Sequence, residues 1–435
     1  MPSPAVDTMF EQLLQDLPSE LEAQARQFQA FSRARKIQTP RQLLRVVFLY
    51  CGLDLCLREV AGVFTLLYEK ISDQAIAERL AACRPWVRAL LTQMLGLAAV
   101  VQLPGRGRVL VLDGSHVQGP GALGSQYRLH LALDLVQLTF VEIHLTESSR
   151  GESLANFSLG PGDIALADRG YAHPNRIVET VQQGAHLVLR LNAHNVPVYG
   201  LDGVRLDLAE LLKGQAVASL QSLPVRVQSA DGQQSVLGQL QAYRLSEQQA
   251  NQARRRARRN NRKKGRTPKQ QTLFLAGWVL VFTTLTAQQL SAQQVLELYR
   301  LRWQVELAIK RWKSLLDLGQ LRARFRSPWA ELWLQGKLLY ALLLDKRLRR
   351  QLDDGWGRLD GERTASWWRP WELLRQQIDP LISGAQFWSQ QAWPSCLQVL
   401  AERPRRRKLH RLSQDALQLL ATLQPPRPQP LQQVS

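Results

Sequence analysis

The chain has 435 residues, and its 56 Lys and Arg outnumber its 36 Asp and Glu, which gives a formal net charge of +20. A surface this basic attracts polyanions, and nucleic acid is the commonest polyanion in a cell. No apolar run approaches the ~18 residues that a membrane-spanning helix needs, and the first residues lack a signal-peptide pattern. We therefore expect a soluble, cytoplasmic protein that binds nucleic acid and no membrane.

Residues 1–104 predict a helical N-terminal domain. Amphipathic patterns opened by Pro or by capping residues recur through this stretch, and one helical pattern is interrupted at Pro85. Two short helices around that interruption, with Arg84 and Arg88 beside it, fit a helix-turn-helix that binds DNA ends or a plain helical bundle. The sequence leaves both interpretations open.

Residues 105–194 predict an α/β layer. RVLVLDG predicts a strand that ends at Asp113, and residues 127–135 and 138–146 predict a β-hairpin. A short helix follows, then DIALADRGY predicts a strand ending at Asp168, a helix closed by Gly184 and a further strand. This order is typical of an α/β domain. Both aspartates are thereby placed at carboxyl ends of strands, where open α/β sheets bind ligands.

Residues 195–287 predict a β-rich insertion. Inside it, residues 254–269 hold ten bases and no acid. Such a run is usually a solvated loop whose charges repel one another, but beside a polyanion it becomes a clamp for phosphates. We interpret it as a basic loop and leave both roles open.

The stretch 299–313 lies in a segment, residues 288–345, that predicts a return to the core. It carries one acid, Glu306, among five bases. At about 100° per residue, a continuous helix places Tyr299, Arg302, Glu306 and Lys313 in one narrow arc beside an apolar stripe. That arc is either an ordinary boundary stripe or part of a site. Residues 346–435 predict a helical C-terminal region, a candidate for dimerisation, that ends in a basic run and a Pro-rich tail.

Three carboxylates on separate elements, Asp113, Asp168 and Glu306, predict a metal site if they converge. Their charges would repel one another unless a cation neutralised them. Hard oxygen ligands without His or Cys partners favour Mg²⁺ or Mn²⁺ over zinc. Two such ions can stabilise both the attacking and the leaving oxygen at phosphorus, so the predicted chemistry is phosphodiester cleavage or transfer.

The spacing Tyr299-x2-Arg302-x3-Glu306-x6-Lys313 matches the YREK signature, and the chain resembles the DDE transposases of bacterial insertion sequences, in the insertion-sequence family four. VLDGS and ADRGY are similar to the two aspartate motifs of that family, and a β-rich insertion before the Glu is also its pattern. The resemblance covers roughly residues 109–321. It implies an α/β fold with an RNase H-like catalytic core interrupted by the insertion, between a helical N-terminal DNA-binding domain and a helical C-terminal region.

The resemblance also implies an activity and a set of residues. It implies cut-and-paste transposition on double-stranded DNA, with binding of terminal inverted repeats and of target DNA, and with two Mg²⁺ ions, or Mn²⁺, per active site. By position, Asp113, Asp168 and Glu306 become the catalytic metal ligands. Phosphate contacts are expected from Tyr299, Arg302 and Lys313. Further DNA contacts are expected from Trp278, Arg169, Arg254, Arg255, Arg258, Arg262 and Lys263.

Two of these assignments have alternatives. In relatives that form hairpin ends, a Trp in the strand that returns from the insertion stacks on a flipped base, which needs an exposed aromatic face; Trp278 is otherwise a core residue. Arg169 either touches DNA or balances the charge of Asp168.

The resemblance further suggests a homodimer in the DNA complex and association with the nucleoid. Two other functions stay open: a metal-dependent nuclease without strand transfer, and a non-catalytic DNA-binding protein descended from a transposase.

Overall fold

The computed structural model describes residues 10–98, 107–263, 265–351 and 368–384. The basic run at 403–411, the Pro-rich tail at 425–430 and most of the candidate dimerisation region lie outside these residues.

Within these described ranges, nine strands form one mixed sheet. In chain order they are β1 (Val109–Val117), β2 (Tyr127–Asp134), β3 (Thr139–Glu147), β4 (Ile164–Ala167), β5 (His186–Arg190), β6 (Val198–Tyr199), β7 (Leu220–Gln228), β8 (Ser235–Arg244) and β9 (Trp278–Thr283). Across the sheet the order is β3-β2-β1-β4-β5-β9-β8-β7-β6. The pairs β1·β4 and β4·β5 are parallel, and the other pairs are antiparallel.

Helices cover the sheet and extend beyond it. In chain order they are α1 (Leu21–Gln27), α2 (Pro40–Val47), α3 (Leu57–Leu67), α4 (Asp73–Ala82), α5 (Arg84–Ala98), α6 (Pro174–Gln182), α7 (Leu208–Leu211), α8 (Glu247–Lys263), α9 (Gln270–Leu275), α10 (Ala292–Arg300), α11 (Trp303–Leu316), α12 (Pro328–Gln351) and α13 (Trp368–Ser383). A π-helical turn, Phe48–Gly52, follows α2, and a 3₁₀ turn, Leu154–Asn156, follows β3.

The order of elements predicted for residues 105–194 is confirmed. The hairpin forms as β2 and β3, because Asp134 Oδ1 accepts hydrogen bonds from the backbone N–H groups of Val136 and Gln137 and so tightens the turn. Helix α6 begins at Pro174, whose fixed φ suits the first helical position. It is closed by Gly184 at φ +88°, a conformation that glycine adopts without steric cost.

Two hydrophobic cores lie on opposite faces of the sheet, since side chains alternate along each strand. The first core contains Val111, Leu166 and Val281 together with the N-terminal helices and α10 to α13. The second core contains Leu112 and Phe282 with α6 and the inner residues of β6 to β8. The N-terminal helices therefore pack into the same core as α12.

Arg84 and Arg88 take part in that packing. The break in the helical pattern comes at Cys83, one residue before α5, and Pro85 lies in the first turn of α5, where a missing N–H is tolerated. Both arginines approach Glu331 of α12, with Nη–Oε2 distances of 3.3 and 3.6 Å. These contacts are those of a helical bundle.

The basic run is a helix for most of its length, so the prediction of a loop at 254–269 is wrong. Helix α8 covers Glu247–Lys263. Arg, Gln and Ala have high helix propensity, and this preference prevailed over the mutual repulsion of the bases. Four of the strands predicted in the insertion form, as β6 to β9, whereas GVRLDL makes only an isolated bridge at Arg205 and residues 273–275 belong to helix α9. Strand β9 pairs with β5, so these strands extend the core sheet.

Among the described residues, no helix combines the length and the apolar character needed to cross a bilayer.

Candidate active site

Asp113 and Asp168 lie side by side because β1 and β4 run parallel. The last pair in register is Leu112 with Ala167, and each aspartate is the next residue along its strand. Asp168 directly follows β4, as predicted. Asp113 does not end its strand, because the hairpin partner β2 continues to pair with β1 and matches Asp113 with Leu131.

Both aspartates belong to the face of the sheet that carries the first core. Val111 and Leu166, two residues earlier in each strand, are buried there, and a period of two keeps Asp113 and Asp168 on the same face. Helix α11, which carries Glu306, packs against β1. Its buried side chains Val305 and Trp312 belong to the same first core.

Each aspartate accepts a hydrogen bond from a following glycine. The N–H of Gly114 donates to Asp113 Oδ1 at 2.8 Å, and the N–H of Gly170 donates to Asp168 Oδ1 at 2.7 Å. Burial raises the pKa of Asp113 to about 6, and the negative charges of Asp168 and Glu306 add to this rise, against the Gly114 hydrogen bond and the charge of Arg302. Asp168 and Glu306 therefore both lie close enough to act electrostatically on Asp113.

The predicted single helix over 299–313 is two helices. Tyr299 belongs to α10, Arg302 is the N-cap residue of α11, and Glu306 is in the first turn of α11. Between the helices the backbone hydrogen bonds join residues three apart, as in a 3₁₀ turn. For example, the N–H of Arg302 donates to the carbonyl oxygen of Tyr299 at 3.1 Å. Leu301, which a continuous helix would place in the apolar stripe, is 45% exposed at this break.

The YREK side chains nevertheless come together. Arg302 donates a hydrogen bond through Nη2 to Glu306 Oε1, and its guanidinium lies 5.8 Å from the centroid of the Tyr299 ring. Lys313, about two turns after Glu306 on α11, is half-buried. Burial lowers the pKa of Lys313, against the opposing effect of the Asp113 charge, so this ammonium also lies within electrostatic reach of the acids.

The acids do not form a ready metal site. Among the described residues, no three His, Cys, Asp or Glu side chains lie close enough to hold a metal ion together. Glu306 instead accepts a hydrogen bond from Arg302. The donors themselves fit a hard divalent cation, because they are carboxylates alone and because their charges accumulate around Asp113.

A fourth acid, Glu152, lies beside the two aspartates, and no role was predicted for it from its sequence pattern. A Cβ added at Gly114 would lie 2.9 Å from Glu152 Oε1, and one added at Gly170 would lie 2.3 Å from Glu152 Oε2. The segment ESLANF predicts only a short helix. Its one useful signal is an acid placed in a loop between the two aspartate strands.

Trp278 does not present an exposed ring. It is the first residue of β9 and only 4% exposed, and its ring lies 6.4 Å from that of Phe274 in the second core. The expectation of an exposed stacking face is wrong for this structure, because the end of α9 covers the indole. Arg169, in contrast, is exposed.

Helix α8 begins at the edge of the sheet where Asp113 and Asp168 lie. Arg190, at the carboxyl end of β5, pairs with Val281, and Arg244, at the end of β8, pairs with Trp278. Strand β8 is three strands from β4, a separation of about 14 Å at normal strand spacing.

Six exposed bases share one face of α8. At about 100° per residue they span an arc of roughly 160°, opposite the side of the helix that packs on the protein. They are Arg255, Arg256, Arg258, Arg259, Arg262 and Lys263. Arg254 lies on the packed side, where it approaches Glu247 at 3.5 Å and donates to Asn251 Oδ1 at 3.0 Å.

Known proteins resemble this chain over most of its length. The family model described as the transposase DDE domain matches residues 104–342, which include both aspartates and the whole YREK stretch. The putative transposase InsL of insertion sequence element IS186A, from Escherichia coli strain K12, is 32% identical over 343 residues, which are 77% of this chain and 92% of that protein. The transposase of IS421, from Escherichia coli, is 32% identical over 344 residues, with the same shares.

Two further similarities are more distant. The transposase of IS231F, from Bacillus thuringiensis subsp. israelensis, is 28% identical over 199 residues, or 43% of this chain and 42% of that protein. A cryo-EM structure of a piggyBac transposase synaptic complex with hairpin DNA aligns over 97% of this chain and 91% of that chain, at a TM-score of 0.45 and 9% identity. That structural likeness is too remote to assign a fold or a function.

Proposed function

The chain belongs to the DDE transposase family of bacterial insertion sequences, and we propose that it cleaves DNA at the ends of its element and joins the freed ends to target DNA. The observation that carries this proposal is the placement of Asp113 and Asp168 next to each other on parallel strands, with Glu306 on a helix packed against the same strand. An RNase H-like core is part of the proposal.

The cation site would be formed by Asp113, Asp168 and Glu306. Two Mg²⁺ ions, when bound, would supply Lewis-acid stabilisation of the attacking and leaving oxygens of the phosphodiester. Glu306 must leave Arg302 to join the aspartates. A DNA phosphate offers Arg302 a replacement partner that suits its planar fork, so binding of the element end and assembly of the site are coupled in this proposal.

Phosphate contacts near the acids come from Tyr299, Arg302 and Lys313 in this proposal. Arg302 stays charged at any working pH and can bind two oxygens at once, whereas Lys313 acts as a point charge. Arg169 is exposed directly after Asp168 and is placed to meet the same strand of DNA. The positive side chains would hold the strand while the acids hold the cations.

Helix α8 would bind the duplex further from the scissile phosphate. The helix carries six exposed bases and begins at the edge of the sheet where the aspartates lie. A DNA duplex lying across that edge would reach both the aspartates and these bases. Contacts of this kind set affinity and register without reading sequence. Because Trp278 is buried, a hairpin step that depends on it is not part of the proposal.

Two element ends must be processed together, so we expect two copies of the chain in the DNA complex.

An end-joining assay tests the proposed function. Full-length protein is incubated with Mg²⁺, a labelled duplex carrying the inverted repeat that flanks the gene, and a supercoiled plasmid. We expect label to be joined to the plasmid by the wild type, and no cleavage or joining by Asp168→Asn or Glu306→Gln, with binding of the labelled duplex within about twofold of wild type in Ca²⁺. The control variant Glu179→Gln removes an exposed acid of α6 whose salt-bridge partner, within the described part of the chain, is Arg176 alone.

Three outcomes would contradict the proposal. Cleavage of the labelled duplex without joining would indicate a nuclease, and binding without metal-dependent cleavage would indicate a DNA-binding protein without catalysis. Normal cleavage by Asp168→Asn or Glu306→Gln would show that the altered carboxylate is not a ligand.

A further inference from the structure

Glu152 reaches the aspartates through space that two glycines leave open. Its Oε1 lies 2.9 Å from the point where Gly114 would carry a Cβ, and its Oε2 lies 2.3 Å from the corresponding point at Gly170. Real Cβ atoms are not found this close to a carboxylate, so any other residue at Gly170 would displace Glu152. These are also the two glycines whose N–H groups bind Asp113 and Asp168.

The carboxylate of Glu152 is within a short distance of that of Asp168. Glu152 Oε2 and Asp168 Oδ1 lie 2.3 Å and 3.0 Å from the same Gly170 point, so these two oxygens are at most 5.3 Å apart. Oxygens that share one Mg²⁺ at about 2.1 Å are separated by no more than about 4.2 Å. A small movement of one side chain is therefore enough for both to hold the same ion.

Glu152 has no cation of its own to neutralise it. Within the part of the chain that the structure describes, its carboxylate forms no salt bridge and no side-chain hydrogen bond. Burial and the charge of Asp168 raise the pKa of Glu152, while Arg128 and His173 act in the opposite direction from beyond salt-bridge distance. An acid that is half-buried beside another acid, without a partner, is costly unless something external binds it.

A buried hydroxyl near these acids is a second indication that a ligand binds here. Tyr171 is fully buried, and its hydroxyl has no hydrogen-bond partner. Burial raises the pKa of Tyr171, and the charges of Glu152, Asp113 and Asp168 add to this rise, so the phenol lies in the field of all three carboxylates. Orphaned buried hydroxyls are rare in native proteins, and this one is placed to orient a ligand or a carboxylate that holds one.

We propose that Glu152 is a fourth acidic residue of the active site and that it binds a divalent cation together with Asp168. This inference rests on the proposed function, since it adds a ligand to the same cation site. Gly114 and Gly170 act as positioning residues, because their lack of a Cβ leaves space for the carboxylate of Glu152. Tyr171 is a second positioning residue: its buried hydroxyl, which has no partner in this structure, donates to a carboxylate of the site once the cation is bound.

Binding of Mn²⁺ to the full chain without DNA tests this inference. Free Mn²⁺ is measured by electron paramagnetic resonance in a titration of the wild type, Glu152→Gln, Asp168→Asn and the surface control Glu179→Gln. We expect Glu152→Gln to weaken binding about tenfold or more, which is the usual consequence of losing a ligand or its direct support. Glu179→Gln should bind as the wild type does. Gly114→Ala leaves every carboxylate in the chain, and its added Cβ would lie 2.9 Å from Glu152 Oε1 and so displace Glu152. It should weaken binding in the same direction as Glu152→Gln.

Thermal unfolding of the same variants separates a ligand from a structural residue. The Mn²⁺-induced rise in Tm should be present in the wild type and in Glu179→Gln and much reduced in Glu152→Gln. A purely structural role would instead change the metal-free Tm and leave the Mn²⁺-induced rise intact.

The outcomes also separate this inference from the proposed function. If Asp168→Asn loses Mn²⁺ binding while Glu152→Gln binds like the wild type, the fourth ligand is overturned and the proposed site stands. If Asp168→Asn itself binds Mn²⁺ like the wild type, the cation site at these strands is overturned together with the inference.

Discussion

Buried and half-buried acids are paired with cations in one region of this transposase and left unpaired in another. Around α12, the buried Asp16 meets Arg347 at 3.0 Å and Arg350 at 2.9 Å, and the partly buried Asp54 meets the fully buried Lys337 at 2.6 Å. At the sheet edge, Asp113, Asp168 and Glu152 crowd one another, and among the described residues none of them forms a salt bridge.

This contrast shows where the chain keeps negative charge for an external cation. With 56 bases and 36 acids, the protein has enough cations to pair every acid. A shortage of basic partners therefore does not explain why the half-buried acids at the sheet edge are unpaired. Pairing around α12 holds the N-terminal helices to the core, because an isolated buried charge is expensive. Its absence at the sheet edge costs stability there and leaves carboxylate oxygens available to metal.

Asp16→Asn should give the largest change in stability. The substitution leaves Arg347 and Arg350 without their shared partner, and breaking a buried ion pair in this way costs about 3–5 kcal/mol; the exposure of Arg350 places the expected loss near the lower end. Urea unfolding at neutral pH measures it. The exposed pair of Arg176 and Glu179 supplies the control, since Glu179→Gln should change stability by no more than about 0.5 kcal/mol. Equal effects at the two sites would show that the ion pairs of Asp16 stabilise the fold no more than an exposed pair does.

Asp113→Asn should change stability in the opposite direction. The pKa of Asp113 is about 6 in the folded protein against a normal value of 3.8, so the folded state binds more protons between those values and bears a cost once the carboxylate is ionised. The cost is present above about pH 6 and disappears as the pH falls below about 4. At pH 8 without metal, Asp113→Asn should therefore be more stable than the wild type by about 1–3 kcal/mol.

The pH dependence provides the check on Asp113→Asn. Thermal unfolding at pH 8, 6 and 4 should show the advantage of the variant shrinking toward zero at the lowest pH. A variant that is less stable than the wild type at pH 8 would mean that the carboxylate is already compensated inside the protein.

Neutralising the exposed face of α8 should have the smallest effect on stability and a graded effect on DNA binding. Arg258→Gln with Arg262→Gln should leave the free energy of unfolding within about 0.5 kcal/mol. A plot of the logarithm of the DNA-binding constant against the logarithm of the salt concentration should become less steep, by about one for each phosphate that the variant no longer binds. The matched control is Lys36→Gln with Arg176→Gln, which removes two bases that are already paired with glutamates. An unchanged slope for the α8 variant would show that this helix does not meet DNA.

Much of the core was predictable because its signals are local. The hairpin, the strand before Asp168 and the helix closed by Gly184 follow from alternation, turn residues and caps within a few positions. The contact between Arg302 and Glu306 follows from their spacing of four, which survives the break between α10 and α11. Helix α8 could also have been predicted from the helix propensities of its residues. The prediction of a loop failed because the repulsion among the bases was given more weight than those propensities.

The sequence by itself determined the kinds of elements, the basic surface and the spacing of the acidic and YREK residues, because these depend on residues close together in the chain. Only the tertiary structure decided that Asp113 lies in mid-strand, that Trp278 is covered and that Glu152 enters through Gly114 and Gly170. The physical reason is that strand length, burial and the field at a carboxylate are set by partners from distant parts of the chain. No local pattern records which partners those will be.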